Sequence, residues 1–209
     1  AIISSVKDPA GVNIRNSLIE LFKFEKVNEE FDGNDVYQHK NIKSYLINDG
    51  LIYSENIDRK INADILIFAS KHRSKENTPS FAIHPIGNWS ISDFGGEQKK
   101  LCPSSAILLK NLFIELNKIE NKSNYEITLE ATHHGPYVEK PSVFVEIGST
   151  EKEWNNKENG EIIAKTIMNC LNNKNKNYKI AVGVGGPHYC SNFNKIVLRT
   201  EIALSHICP

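Results

Sequence analysis

Asp64-Ile65-Leu66-Ile67-Phe68-Ala69-Ser70, the stretch DILIFAS, is a short apolar run rich in β-forming side chains, with no alternation of polar and apolar positions. That is the profile of a strand buried on both faces, and such strands belong to the interior of parallel sheets. Upstream, Ile2, Ile3 and Val6 make a short apolar strand. Asp8-Pro9 then offers an N-cap and a first-turn proline, and Ile14, Leu18, Leu21 and Phe22 follow at helical spacing. Residues 43–47 and 51–53 are predicted as strands around the turn Asn48-Asp49-Gly50, and residues 81–84 as another. Downstream, the spacing of Leu109, Leu112, Phe113 and Leu116 predicts a helix. Residues 125–132 and 143–147 predict strands, and Thr150 with Glu153 resembles a capping box. Ile163, Ile167, Cys170 and Leu171 mark one more helix before a strand at 178–184 that runs into Gly185-Gly186-Pro187. Strands alternating with helices predict one α/β domain over residues 1–209: a mixed, largely parallel sheet with helices on both faces.

Composition narrows the function classes. Twenty-five Lys and Arg balance 25 Asp and Glu, so no bulk basic surface for nucleic acid exists, and a nucleic-acid ligand would need a local patch. KHRSK, with Lys71, Arg73 and Lys75, is one candidate; Lys99-Lys100 and the run Lys174, Lys176, Lys179 are others, although viewed alone each reads first as solvated surface charge. No run of eighteen apolar residues occurs, and the first residues lack the pattern of a secretory signal. Cys102, Cys170, Cys190 and Cys208 are scattered without a CxxC pair, which fits a reducing compartment. A cytoplasmic, non-membrane protein is therefore expected, and a monomer.

The chemistry concentrates on histidine. Five of the seven histidines stand at or just past the end of an apolar strand: His72, His84, His133, His134 and His188. Singly, each is more often a surface or hydrogen-bonded structural residue. Together they predict convergence, because loops at one sheet edge meet in space. Glu130 and Glu146 each interrupt an apolar strand, a costly placement unless the carboxylate is paired, orients an imidazole or binds a cationic group. Alternation along residues 125–132 would set Glu130, Thr132 and His134 on one face and Ala131 and His133 on the other. Neutral imidazole serves equally as general base and as metal ligand, and the residues leave both open. HExxH is absent, yet His133, His134 and His188 with a carboxylate form a possible dispersed zinc set. There is no GxSxG elbow and no Walker A loop, and Cys190 is read as a small apolar filler. Amides near Gly185 and Gly186 are candidates for holding an oxyanion.

FASKHRSK (68–75), HPIGNW (84–89), GGEQKKL (95–101), ATHHGP (131–136), VFVEIGSTEKEW (143–154), GVGGPHY (183–189) and SHICP (205–209), taken in order, resemble the archaeal and plant type of D-aminoacyl-tRNA deacylase. The blocks span most of the chain. The resemblance implies a fold similar to peptidyl-tRNA hydrolase and phosphorylase-like proteins, and hydrolysis of the ester linking a D-amino acid to the 3′ end of tRNA. It also implies zinc as cofactor and tRNA as partner. On this reading His84, Glu130, His133, His134, Glu146 and His188 are the expected catalytic residues, with His133, His134 and His188 as the metal set. His72, Arg73, Lys75, Gly185, Gly186 and Tyr189 are the expected substrate contacts. Two departures are visible. Cys190 stands where the family more often has a smaller side chain, and family chains usually continue past the segment matching residues 205–209, so part of the C-terminus is expected to lie beyond this sequence. A peptidyl-tRNA hydrolase-like esterase and a noncatalytic module for RNA 3′ ends or nucleotides are the alternative readings.

Overall fold

A computed structural model describes residues 1–119, 124–173 and 176–209; Lys174 of the basic run lies outside them. The 64–70 stretch forms β5 (Leu66–Lys71), with five of its six residues buried. β5 is flanked in parallel by β1 (Ile2–Ser5) and by β8 (Ser142–Gly148), so both its edges are hydrogen-bonded and both faces covered.

After β1 the Asp8 carboxylate accepts from the Gly11 amide at 2.9 Å, and Pro9 opens α1 (Pro9–Phe22). Ile14 and Leu18 are buried on this helix, whereas Leu21 is exposed. A hairpin that hydrophobic periodicity does not reveal comes next: β2 (Glu25–Phe31) and β3 (Asn34–His39). Its strands are polar because they lie at the sheet margin. Their turn, Asp32-Gly33, has both φ values positive, as a two-residue hairpin loop requires. β4 (Ile42–Ile47) matches expectation, but the strand predicted at 51–53 is a 3-10 turn, Leu51–Tyr53, with a second at Ile57–Arg59. Asn48-Asp49-Gly50 leads into that turn rather than joining two strands, so no ladder partner is available to the three residues after it.

β6 (Ser80–His84), α2 (Ala106–Ile119), β7 (Glu126–Leu129), α3 (Glu151–Trp154) and α4 (Lys157–Asn172) complete the central body. The capping box at Thr150 and Glu153 is present. β9 (Lys179–Val184), α5 (Ser191–Arg199) and β10 (Ile202–Cys208) close the chain, with β9 and β10 paired in parallel as a separate two-stranded sheet.

The eight-stranded sheet has the order β2-β3-β4-β1-β5-β8-β6-β7. Strands β4, β1, β5 and β8 are mutually parallel; β6 runs against β8 and is parallel to β7. The sheet is thus mixed and largely parallel, and the fold is α/β. Its two faces are covered unequally. One packs on α1, α2, α4 and α5 through Ile14, Leu18, Leu112, Phe113, Ile163 and Val197. The other is closed by the two 3-10 turns and by loops carrying Leu51, Ile57, Ile61, Ile86 and Cys102. The reversed β6 brings polar residues of three strands, Ser70, Glu146 and His84, into two adjacent rows. Its register places Ser70, Glu146 and Ala82 in one row across β5, β8 and β6, and Phe68, Phe144 and His84 in the next.

Candidate active site

Because Phe68, Phe144 and His84 share a row, their rings stack on the loop-covered face: Phe68 on Phe144 at 4.9 Å, and Phe144 on His84 at 5.2 Å with nearly parallel planes. Two residues along β8, Glu146 lies on the same face, and the Ser70 hydroxyl donates to its Oε1 at 2.6 Å. Beyond β5, the His72 amide extends the ladder to the Ile147 carbonyl. His72 Nδ1 then lies 3.4 Å from Glu146 Oε2 and 3.2 Å from Glu130 Oε1, while its Nε2 meets the Tyr189 hydroxyl at 2.8 Å.

Glu130 comes directly after β7. Its amide donates to Ile83, beside His84, and the next amide, Ala131, donates to the His188 carbonyl. This short pairing brings the loop after β9 to the site. β7 ends at Leu129, so the alternation expected through residue 132 is not sustained. The chain bends into a bridge between His133 and Ile86, His134 adopts φ 42°, and both rings turn inward. His84 and His133 lie 4.1 Å apart between ring centres, His133 and His134 4.3 Å, and His133 and His188 4.6 Å.

Backbone carbonyls fix the tautomers, since a carbonyl only accepts. Nδ1 of His84 donates to Pro85 O at 3.1 Å, that of His133 to Ala131 O at 2.7 Å, and that of His134 to Gly135 O at 2.7 Å. In the neutral rings Nε2 is then left as a lone-pair donor. His133 Nε2 and His188 Nε2 face Glu130 Oε2 at 3.7 and 3.6 Å. Glu130 is fully buried, and neither of its oxygens has a hydrogen-bond partner among the described residues.

The electrostatics divide the cluster. Burial alone would raise Glu146, but hydrogen bonds and charge from His72 and His84 outweigh it and hold its carboxyl well below the usual carboxylate range. Burial opposes protonation of His72 and His84, yet their carboxylate partners prevail and raise both. His133 and His134 go the other way. Burial, then repulsion from neighbouring imidazoles, pushes His133 far down and His134 to about 4, so both are neutral at neutral pH.

A cavity of about 460 Å³ opens over this cluster, lined by His72, Arg73, His133, His134, Glu146 and His188, with His84 and Glu130 fully buried beneath. Seven of the residues expected from sequence therefore meet here, with Arg73 at the mouth and Tyr189 bonded to His72. Others are elsewhere. Lys75 lines an adjoining depression that shares Arg73 and contains Trp154. Gly185 and Gly186 line a different hollow with Pro187 and Cys190, and the Gly185 amide already donates to Cys208 O at 2.7 Å, so this loop does not present its amides to the cavity. Cys190 is buried, its thiol pushed up to about 12 by desolvation, as a filler. Among groups of His, Cys, Asp and Glu within metal-binding reach of one another, His133 and His188 assemble with Glu130, whereas His134 assembles with His84 and His133; the expected trio His133, His134, His188 is not one group. Sequence reasoning passed over Ser70, Asp8, Tyr53 and Phe94. A serine inside a strand or an aspartate at a helix cap carries no sign of facing a cavity.

Residues 59–209 match the family model described as D-aminoacyl-tRNA deacylase. Over its full length the chain is 39% identical to the D-aminoacyl-tRNA deacylase of Pyrococcus furiosus, covering 79% of that protein. It is 35% identical to that of Archaeoglobus fulgidus, with 98% of this chain and 75% of that one aligned. The crystal structure of a conserved protein of unknown function, AF0625, superposes on 99% of this chain and 75% of its own with a TM-score of 0.92 at 34% identity. The histidine cluster thus lies in a chain that, by family model and by relatives over its whole length, belongs to the D-aminoacyl-tRNA deacylase family.

Proposed function

We propose that residues 1–209 act as one cytoplasmic deacylase domain that hydrolyses the ester between a D-amino acid and the 3′ end of tRNA, with the cavity above Glu130, His133 and His188 as its reaction centre. The observation that carries the location is the meeting of three potential ligand atoms, the Nε2 atoms of His133 and His188 and a buried Glu130 oxygen without a hydrogen-bond partner among the described residues. Such a set is costly unless a cation joins it. Two nitrogens and one carboxylate with an open position form a recurrent donor set of catalytic zinc, and the Nδ1–carbonyl bond of His133 is the outer-shell contact that fixes a ligating ring. These residues fit zinc, and Glu130, His133 and His188 would hold it. A zinc ion held there would supply Lewis-acid polarisation of an ester or water oxygen.

The chain's own groups do the rest. His134 lines the cavity, stays neutral well above its pKa of about 4, and keeps its Nε2 free to take a proton from the attacking water. Glu146, held ionised by His72, His84 and the Ser70 hydroxyl, lines the cavity with a carboxylate that can accept from the free α-ammonium of an aminoacyl ester. An N-blocked peptidyl ester lacks that cation. His72, gripped between Glu130, Glu146 and Tyr189, sets the positions of both carboxylates.

The test uses the whole protein with D-tyrosyl-tRNA and L-tyrosyl-tRNA in parallel, with and without chelator and added zinc. Release of tyrosine from the D ester alone, lost on chelation and restored by zinc, is the expected result. If neither ester is cleaved, or the L ester is cleaved as fast, the reading fails.

A further inference from the structure

The cavity has a second wall that the proposed hydrolysis does not use. Besides the histidines it is lined by Leu51, Ile52, Tyr53 and Phe94, and two of these are large aromatics left in the open: Tyr53 is 59% exposed and Phe94 64%. Exposed aromatic rings grouped at a cavity mouth mark a place where something apolar and flat is received.

The wall is also firmly built. A Cβ on Gly95 would lie 1.8 Å from Ile52 O and 3.3 Å from the Tyr53 ring, so the backbone beside Phe94 is pressed onto the 3-10 turn that carries Tyr53. Gly95 has φ +72°, which keeps that approach open. The Asn88 side-chain amide donates to Gly95 O at 2.9 Å, and the Gly96 amide donates to Glu55 Oε1 at 2.6 Å; Glu55 Oε2 accepts from Tyr137. The Phe94 carbonyl accepts from the Gly135 amide at 3.0 Å, which fixes the wall to the residue after His134. Rings carried on a backbone fixed in this way lose less entropy on binding a partner than rings on a mobile loop.

Charge indicates which partner. Lys7, Lys71 and Arg73 stand on the same rim, and Lys71 and Arg73 lie over the Trp154 ring at 5.5 and 5.2 Å. An aromatic wall beside cationic side chains suits a base with its phosphate, the combination that single-stranded nucleic acid presents. An ester at the 3′ end of tRNA is carried by the terminal adenosine, which must lie within a few ångströms of the reacting carbonyl. Resting on the deacylase reading, we propose that Tyr53 and Phe94 form the platform on which the terminal adenine of the acceptor end stacks, while Lys71 and Arg73 meet its 5′ phosphate.

The experiment has two readouts on the whole protein carrying Tyr53→Ala, Phe94→Ala, Tyr53→Phe or no change. One is equilibrium binding of adenosine 5′-monophosphate, which needs no turnover; the other is the KM for D-tyrosyl-tRNA. Either alanine variant is expected to weaken nucleotide binding and raise KM about tenfold, and Tyr53→Phe to retain both. Nucleotide binding in the millimolar range that is the same in all four proteins, or absent from the unchanged protein, overturns the platform. So does a change in oligomeric state with the alanine variants, which would assign the patch to a second copy. If the unchanged protein cleaves no D ester yet binds the nucleotide through Tyr53, the deacylase reading falls and the platform stands.

Discussion

In the proposed donor set His188 is the more exposed ring and His133 the less exposed, at 46% and 29%. The His188 side chain is 46% exposed and the Glu130 carboxylate it faces is wholly buried, so removing the imidazole costs little packing. His188→Ala is expected to fold with a chelated-state stability within about 0.5 kcal/mol of the unchanged protein. Zinc at a hundredfold its dissociation constant should stabilise the unchanged protein by about 2.7 kcal/mol and the variant not at all, read as the shift in thermal midpoint. Equal shifts in both would remove His188 from the donor set. The thiols give a second check at this scale. Desolvation pushes Cys102 up to about 11 and Cys170 and Cys190 to about 12, and all three are buried, so at pH 8 they carry almost no thiolate. Ellman's reagent should titrate only the partly exposed Cys208 in the native protein and all four after denaturation. Much of the site was legible at the level of single residues, because histidines at strand ends and glutamates inside apolar strands are conspicuous. Tyr53 was not, since it stands in a turn that periodicity mistook for a strand. Nor was the pairing of Glu130 with His188, which depends on contacts between residues far apart in sequence.

Among the elements, α1 meets the sheet more closely than a side chain allows. A Cβ at Gly11 would stand 2.5 Å from Ala69 O in β5 and 3.4 Å from the Ser4 side chain. Alanine gains roughly 1 kcal/mol of helix propensity, but displacing a fixed backbone carbonyl costs more. Gly11→Ala is expected to destabilise by about 1–3 kcal/mol in urea melts, and a stabilised variant would show that α1 has room to shift. Lys110 of α2 makes the opposite kind of contact. Its buried ammonium donates to the carbonyls of Val197, Thr200 and Ile202 at 2.6, 2.5 and 2.9 Å, closing the C-terminal end of α5 and the start of β10. Lys110→Met keeps the length and loses all three bonds, a cost of about 3 kcal/mol; stability equal to the unchanged protein would refute that anchoring role. Elements with a strong apolar signature, such as β5 and α2, were legible from sequence. The β2–β3 hairpin was hidden by its charged residues, and β10 by Ser205 and His206, which interrupt its apolar run.

At the level of the whole molecule, the reversal of β6 decides where the chemistry sits. In an all-parallel sheet the strand ends would meet at one edge, as the sequence suggests. Here β6 runs back along β8, so His84 and Glu146 come together on the face of the sheet, under a roof of loops rather than at its rim. A composition with no net charge agrees with this arrangement: the cationic side chains that line the cavity are few, Lys7 just after β1, Lys71 at the end of β5 and Arg73 beyond it. Strand direction is set by long-range pairing, and no local pattern encodes it. The central claim is that the cavity over Glu130 is where the ester is broken. The most direct measurement is single-turnover release of tyrosine from D-tyrosyl-tRNA by Glu130→Gln, an isosteric change that removes the charge without emptying the space. A rate at least about a hundredfold below that of the unchanged protein, with the fold intact by circular dichroism, is the predicted result. An undiminished rate would place the reaction elsewhere in the molecule.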